Sequence, residues 1–308
     1  MGALLFFPTR GSGPAADRAL RRQGFAAGTT VTHGDGVLTL YPRLLGEAPL
    51  LACAGAGFTS AATGTLYYGS DAGAAALARL AADVRSGTVD RDALFGSFCA
   101  LVATERGLVA LGDPMGTYHV FLDRRDGRVA TSLLALLAEQ PSPVVDRQAV
   151  YEYVFDGASF GGATPFRGIA LLDVTGPVVL HTATAENGAV PVRIAPPAPD
   201  ESLADAIGDR LVARLRAMAG SAPCLNTAIS GDYDSRQTLA LCLAVGATPR
   251  LHVYGRPYDA DVRIAWTIAD ALGLEVMHAD KSAASQELGR FAENALMFDG
   301  TPPDGVAD

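Results

Sequence analysis

The stretch Ile229-Ser230-Gly231-Asp232-Tyr233-Asp234-Ser235-Arg236 decides the reading of the chain. It follows an apolar alternation (Leu225, Thr227, Ile229) with the period of a buried strand. It precedes Thr238-Leu239-Ala240-Leu241-Cys242-Leu243-Ala244, which has the composition of a helix. A strand, a turn of small residues and a helix bring several backbone N–H groups and a helix N-terminus to one point, which suits an anion such as pyrophosphate. Outward from this turn the pattern repeats: helix Leu203–Met218 behind the caps Asp200 and Ser202, strand 225–229, helix 236–245, strand Arg250–Tyr254, helix Asp261–Leu272, strand Glu275–Ala279 and a helix from about 284. Alternating strands and helices imply a parallel sheet with ligands at the carboxyl ends of its strands, where residues 230–235 fall.

Upstream the pattern differs. Residues 1–70 read as short strands: Ala3–Phe7, Thr29–His33, Val37–Tyr41, Leu50–Ala54 and Thr65–Tyr68, with His33-Gly34-Asp35-Gly36 turning a hairpin. Asp71–Val84 has helical spacing. Strands Phe98–Thr104, Gly107–Leu111 and Tyr118–Asp123 follow, then a helix at Arg147–Val154, a Gly-rich loop at Gly157–Thr164 and two strands around Gly176. This is an α+β sandwich pattern. The prolines at 191, 196, 197 and 199 mark a linker, giving a first domain over 1–195 and a second over 196–308.

Composition bounds the function. The 308 residues are 49% hydrophobic and carry a net charge of −9, enough apolar content for two cores and the wrong sign for a nucleic-acid surface. Cys53, Cys99, Cys224 and Cys242 lie far apart in apolar stretches without a C-x-x-C pair, as expected of reduced, buried thiols in a cytoplasmic protein rather than disulfides or zinc. The start, Met1-Gly2-Ala3-Leu4-Leu5-Phe6-Phe7-Pro8, lacks the charge and length of a signal peptide, and no run reaches the ~20 apolar residues of a membrane span.

Ser230-Gly231-Asp232-Tyr233-Asp234-Ser235 resembles the pyrophosphate loop of the glutamine-hydrolysing asparagine synthetase family, Ser-Gly-Gly-x-Asp-Ser, departing from it at Asp232. Further fragments resemble the same family in the same order. Tyr68-Gly69-Ser70-Asp71 resembles the Gly-Ser-Asp that closes its glutamine pocket, and Leu94-Phe95-Gly96-Ser97-Phe98 its Leu-x-Gly-x-Phe strand entry. Gly112-Asp113-Pro114-Met115-Gly116 resembles its Arg-Asp-x-x-Gly turn, and Ala130-Thr131-Ser132 its Ala-Ser-Glu. Thr164-Pro165-Phe166-Arg167-Gly168-Ile169 with Gly176 resembles the close of its first domain, and Leu251–Gly273 its strand and Asp-x-x-x-Ala helix.

The resemblance implies a glutaminase-like, Ntn-type α+β sandwich followed by an α/β parallel-sheet domain of the ATP pyrophosphatase type. It implies ATP and Mg2+ as cofactors, with a small-molecule carboxylate and an amine as substrates. By the resemblance Ser230, Gly231, Asp232 and Ser235 hold pyrophosphate, Asp234 also coordinates magnesium, and Ile229, Tyr254 and Gly255 flank the adenine. The carboxylate would be activated as an acyl-adenylate with release of pyrophosphate, and the amine would then form the amide; no catalytic residue is assigned.

Two departures shape the expectation. The family's nucleophile is a Cys at position 2, where this chain has Gly2; the family's glutamine-holding Asn-Gly-Glu is best matched by Ala54-Gly55-Ala56. Glutaminase activity is therefore not expected, and Asp71 reads as a helix N-cap. At position 232 an Asp replaces a Gly. It tolerates left-handed backbone better than most residues but adds a charge whose repulsion of phosphate is about 4 kcal/mol at 4 Å and a dielectric of 20. The family's second metal-binding loop finds no match, so a further C-terminal region or a partner chain is expected to complete the site. Other readings are a non-catalytic binding or assembly protein of the same fold and a lactam- or macrocycle-forming relative.

Overall fold

The computed structural model describes residues 2–9, 13–42, 48–54, 57–157, 160–181, 184–187, 201–222, 224–281 and 288–299. The chain divides into two compact units, Met1–Val192 with Glu287–Asp308, and Arg193–Gln286. Gly55, Ala56, the proline-rich 191–199, Asp200 and the end of the chain lie outside the described residues.

The first unit runs β1 (Ala3–Phe7), α1 (Pro14–Arg22), β2 (Thr29–His33), β3 (Gly36–Tyr41), β4 (Leu50–Ala54), β5 (Gly57–Tyr68), β6 (Asp71–Ala72) and α2 (Gly73–Ser86). It continues with β7 (Leu94–Thr104), β8 (Gly107–Gly112), β9 (Phe121–Asp123), β10 (Arg128–Ala130), α3 (Leu133–Ala138), α4 (Arg147–Asp156), β11 (Ile169–Leu171), β12 (Val178–His181) and β13 (Thr184–Asn187). Its 13 strands form one connected sheet, ordered β11-β9-β10-β1-β3-β2-β5-β7-β8-β12-β13, with β4 and β6 also on β5. The hairpin expected at His33–Gly36 is present, with His33 paired to Gly36.

Alternation along the strands sorts the side chains into layers. Leu4 and Phe6 of β1 point into a cluster with Leu38, Leu40, Phe58, Cys99, Leu101 and Leu108, so this core lies between two halves of the same sheet. Ala3, Leu5 and Phe7 point the other way, onto Ala16 and Leu20 of α1 and Leu133 and Leu136 of α3. On the far half, Ala62, Leu66, Phe98, Ala100 and Leu111 face Ala76, Leu77 and Leu80 of α2. The result is a helix–sheet–sheet–helix sandwich. Its halves meet where β2 touches β5 in parallel at a single pair, Thr32 with Gly57. The expected sandwich is thus one sheet folded over its own core rather than two separate sheets.

The second unit contains α5 (Glu201–Ser221), β14 (Asn226–Ala228), α6 (Tyr233–Ala244), β15 (Arg250–Gly255), α7 (Ala260–Leu272) and β16 (Val276–Asp280). The strands are parallel in the order β14-β15-β16, with Ala228 opposite His252 and Val253 opposite His278. Ile229, Leu239, Leu251, Val253, Val262, Ala265 and Ala269 form its core, which places α6 and α7 on the sheet through one apolar face each. Helix α5 begins at Glu201, so Ser202 lies inside it rather than capping it. A last helix, α8 (Leu288–Met297), groups with the first unit, whereas the sequence pattern carries the second domain through residue 308.

Candidate functional site

Residues 229–236 leave the carboxyl end of β14 and enter α6. Ile229 is buried and donates its amide to the His252 carbonyl at 2.9 Å, holding the strand end against β15. The turn is then built by its own side chains. Ser235 Oγ receives the Ser230 amide at 3.0 Å and donates to the Asp232 carbonyl at 3.1 Å; Ser230 Oγ receives the Asp232 amide at 3.2 Å. The Gly231 amide donates to Asp261 Oδ1 in the first turn of α7, at 2.9 Å. A Cβ at Gly231 would lie 2.8 Å from that oxygen and 2.9 Å from Ile264 Cδ1, so the close approach of α7 requires glycine there.

Helix α6 starts three residues earlier than its apolar pattern indicates. Asp232 is the N-cap and Asp234 lies in the first turn. Asp232 has φ −79° and ψ 157°, extended backbone open to any residue, and its side chain makes no capping bond. The left-handed conformation considered for this position is therefore not used, and glycine is not required there by the backbone. The Asp232 side chain thus leaves the first-turn amides of α6 uncapped. Arg236 reaches back to the Asp232 carbonyl at 3.2 Å and lies over the Tyr233 ring. Asp232 and Asp234 are exposed.

The neighbouring strand end is constructed similarly. Gly255 ends β15 with φ 139°, a conformation reserved to glycine, and its carbonyl accepts from the Lys281 amide at 3.2 Å and lies 2.8 Å from His278 Nε2. Asp259 caps the turn by accepting the Arg256 amide at 2.7 Å. Tyr254 is exposed, and its ring meets His252 edge-on. The structure therefore brings Ile229, Ser230, Gly231, Asp232, Asp234 and Ser235 into one turn, and sets Tyr254 and Gly255 at the end of the adjacent strand. The first turn of α7 reaches the same turn through the bond from the Gly231 amide to Asp261.

Among the described residues no three His, Cys, Asp or Glu side chains come together as a metal cluster. The donor set fits a magnesium ion brought by a nucleotide, which takes one or two carboxylates and completes its shell with phosphate oxygens and water. It does not form a cage for a resident ion.

In the first unit the position matching the family's nucleophile is enclosed. Asp113 is buried, and its carboxylate accepts the amides of Met115, Thr117 and Tyr118 at 3.1 Å each. That turn aims the Tyr118 hydroxyl at the Gly2 carbonyl, to which it donates, and places it 3.3 Å from Thr63 Oγ1. A Cβ at Gly2 would overlap Thr63 Oγ1 and lie 2.7 Å from the Tyr41 carbonyl. Gly2 lacks a nucleophile and also has no space for one. Asp71 is not a helix cap: α2 is capped at Ala72 without a side-chain bond, and Asp71 pairs with Arg79 at 3.4 Å. Ser132, in the segment resembling Ala-Ser-Glu, caps α3 by accepting the Ala135 amide at 3.1 Å.

Asp261, Tyr118 and Asp299 are structural anchors that the sequence patterns did not single out. Asp261 alone carried a signal, as the Asp of the Asp-x-x-x-Ala helix. No helix of the described residues is long and apolar enough to cross a membrane. No family model and no curated protein matches the chain. Among solved structures it is similar to glutamine phosphoribosylpyrophosphate amidotransferase from B. subtilis complexed with ADP and GMP, at 12% identity and a TM-score of 0.35. The match covers 90% of this chain and 65% of that one, so the chain spans less than two thirds of that protein's length.

Proposed function

We propose that the second unit binds ATP with magnesium and belongs to an ATP-dependent amide-forming ligase of the asparagine synthetase type, without glutaminase activity. The observation that carries this is the β14–α6 turn: a small-residue loop, locked by Ser230 and Ser235, that presents uncapped first-turn amides of α6 at the carboxyl end of a parallel sheet. Those amides and Ser235 would face pyrophosphate oxygens. Asp234 would hold the magnesium, which supplies charge neutralisation at the phosphates. Ile229, Tyr254 and Gly255 would border the adenine. The substrate carboxylate attacks the α-phosphorus, pyrophosphate leaves, and an amine displaces AMP from the resulting acyl-adenylate. With Gly2 in place of a nucleophile, the amine is free ammonia or another amine. A partner chain would supply the carboxylate pocket, and the reaction would run in the cytoplasm.

A second reading, a non-catalytic protein of the same fold, is favoured by one observation: the amides of Ser230, Gly231 and Asp232 are already bonded within the chain. Calorimetric titration of ATP with magnesium separates the two. The ligase reading predicts saturable binding that weakens tenfold or more in Asp234→Ala, equivalent to about 1.4 kcal/mol. Binding unchanged in Asp234→Ala removes the assigned site, and no binding by the unaltered chain favours the second reading.

A further inference from the structure

Three amides of the turn between β14 and α6 are bonded, and their acceptors differ in kind. The Ser230 amide donates to Ser235 Oγ at 3.0 Å and the Asp232 amide to Ser230 Oγ at 3.2 Å, so hydroxyls of the turn itself take both. The Gly231 amide donates to a carboxylate from another element, Asp261 Oδ1 in the first turn of α7, at 2.9 Å and 30 residues away. The hydroxyls are neutral and frame the turn. A carboxylate oxygen is an anionic acceptor of the same kind as a phosphate oxygen.

Asp261 is held at this place by little else. It is exposed, and the Gly231 amide is the one donor to its side chain among the described residues. Gly231 itself is half-buried beneath it: the position of a Cβ there would be 2.8 Å from Asp261 Oδ1. The carboxylate therefore covers the residue whose amide it occupies. Its release needs only a change of side-chain rotamer, with α7 staying on the sheet through Val262, Ala265 and Ala269. An exposed carboxylate returns to water, and the amide passes to the incoming oxygen. No polar group is left unpaired by that exchange.

We propose that Asp261 is an internal competitor of phosphate: its carboxylate occupies the Gly231 amide until a phosphate oxygen of the nucleotide displaces it. This rests on the ATP-binding reading of the turn and adds how that binding is restrained. Such an occupant lowers the apparent affinity by the fraction of time the amide is free. A carboxylate docked about nine-tenths of the time weakens binding about tenfold. The same exchange accounts for a turn whose amides are all bonded in the free chain and which still accepts an anion.

Titration of ATP with magnesium, and of inorganic pyrophosphate with magnesium, into the full chain, Asp261→Asn and Asp261→Ala tests this. Hydrogen exchange at the Gly231 amide, followed by NMR, reads the contact directly. Asp261→Ala removes the acceptor and should bind both ligands about tenfold more tightly. Its Gly231 amide should exchange at least several-fold faster in the free protein and become protected again at saturating pyrophosphate. Asp261→Asn keeps an oxygen for the amide without the charge, and should gain less than Asp261→Ala. An equal gain in the two variants would show that the charge acts at a distance rather than through Gly231, and would overturn the proposal. Binding by the unaltered chain that is unchanged or weaker in Asp261→Ala would also overturn it, while leaving the ATP-binding reading in place. Absence of binding in all three proteins would remove that reading and the proposal with it.

Discussion

Gly2 and Asp232 are two of the positions where the chain departs from the family pattern it resembles, and the fold treats them in opposite ways. Gly2 is enclosed: the Tyr118 hydroxyl bonds its carbonyl, and Thr63 and Tyr41 occupy the space of any side chain. Asp232 is at the surface with ordinary extended backbone and no bond from its carboxylate. At position 2 the absence of a side chain is matched by the placement of Tyr118, Thr63 and Tyr41. At position 232 the departure is one side chain deep. A pattern mismatch therefore means lost chemistry only where the surrounding packing has closed over it.

The largest expected effect comes from forcing the first position open. Gly2→Cys restores the family's residue type but places a Cβ against Thr63 and the Tyr41 carbonyl, and overpacking of this kind costs about 1–3 kcal/mol. Chemical denaturation should show that loss, and the variant should release no ammonia from glutamine. Normal stability together with glutamine hydrolysis would mean that the enclosure at Gly2 gives way easily, and the comparison would fail.

A smaller effect distinguishes the charges that the first unit has buried. Burial pushes the Asp123 carboxyl up, yet the side-chain and backbone bonds from Arg125 outweigh it and hold it below the usual range. Its contribution is full above the ordinary carboxylate value near 3.9 and is lost as pH falls through its depressed value. Asp299 has the opposite sign. Its raised value means that the folded state binds the proton more tightly, so its contribution is full below the ordinary carboxylate value and is lost as pH rises through that raised value. The fall in stability on acidification should thus be smaller in Asp123→Asn than in the unaltered chain and larger in Asp299→Asn, measured by denaturation over the same acid range.

How much of this was legible in the sequence follows from where each signal resides. The strands β1, β2 and β4, the hairpin at His33–Gly36 and the parallel order of the second unit are local, carried by alternation and turn residues. The start of α6 was misplaced because Tyr233, Asp234 and Ser235 are polar first-turn residues outside the apolar repeat. The full length of β5 was hidden because Gly57–Gly64 lacks the bulky alternation of a strand and is held by β4 and β7 on either side. Of the candidate site, the turn itself was readable. The Asp261 bond to Gly231, 30 residues away, and the Asp299 bonds to Ser132, 167 residues away, were not, since such contacts leave no periodicity.

The smallest structural effect and the sharpest functional one meet at Asp232→Gly. Because the Asp232 side chain caps nothing, replacing it with glycine should change stability by only a few tenths of a kcal/mol. The charge is exposed, so its repulsion of a phosphate belongs nearer the aqueous limit of about 1 kcal/mol at 4 Å than the 4 kcal/mol of a half-buried pair. Removing it should tighten ATP binding by about fivefold in the absence of magnesium. With magnesium present the gain should shrink, because the ion between carboxylate and phosphate turns repulsion into attraction. Paired titrations with and without magnesium measure that difference directly. If the variant binds ATP hundreds of times more tightly in both conditions, Asp232 is an off-switch built into the loop, and position 232 would then be closed to chemistry as firmly as position 2.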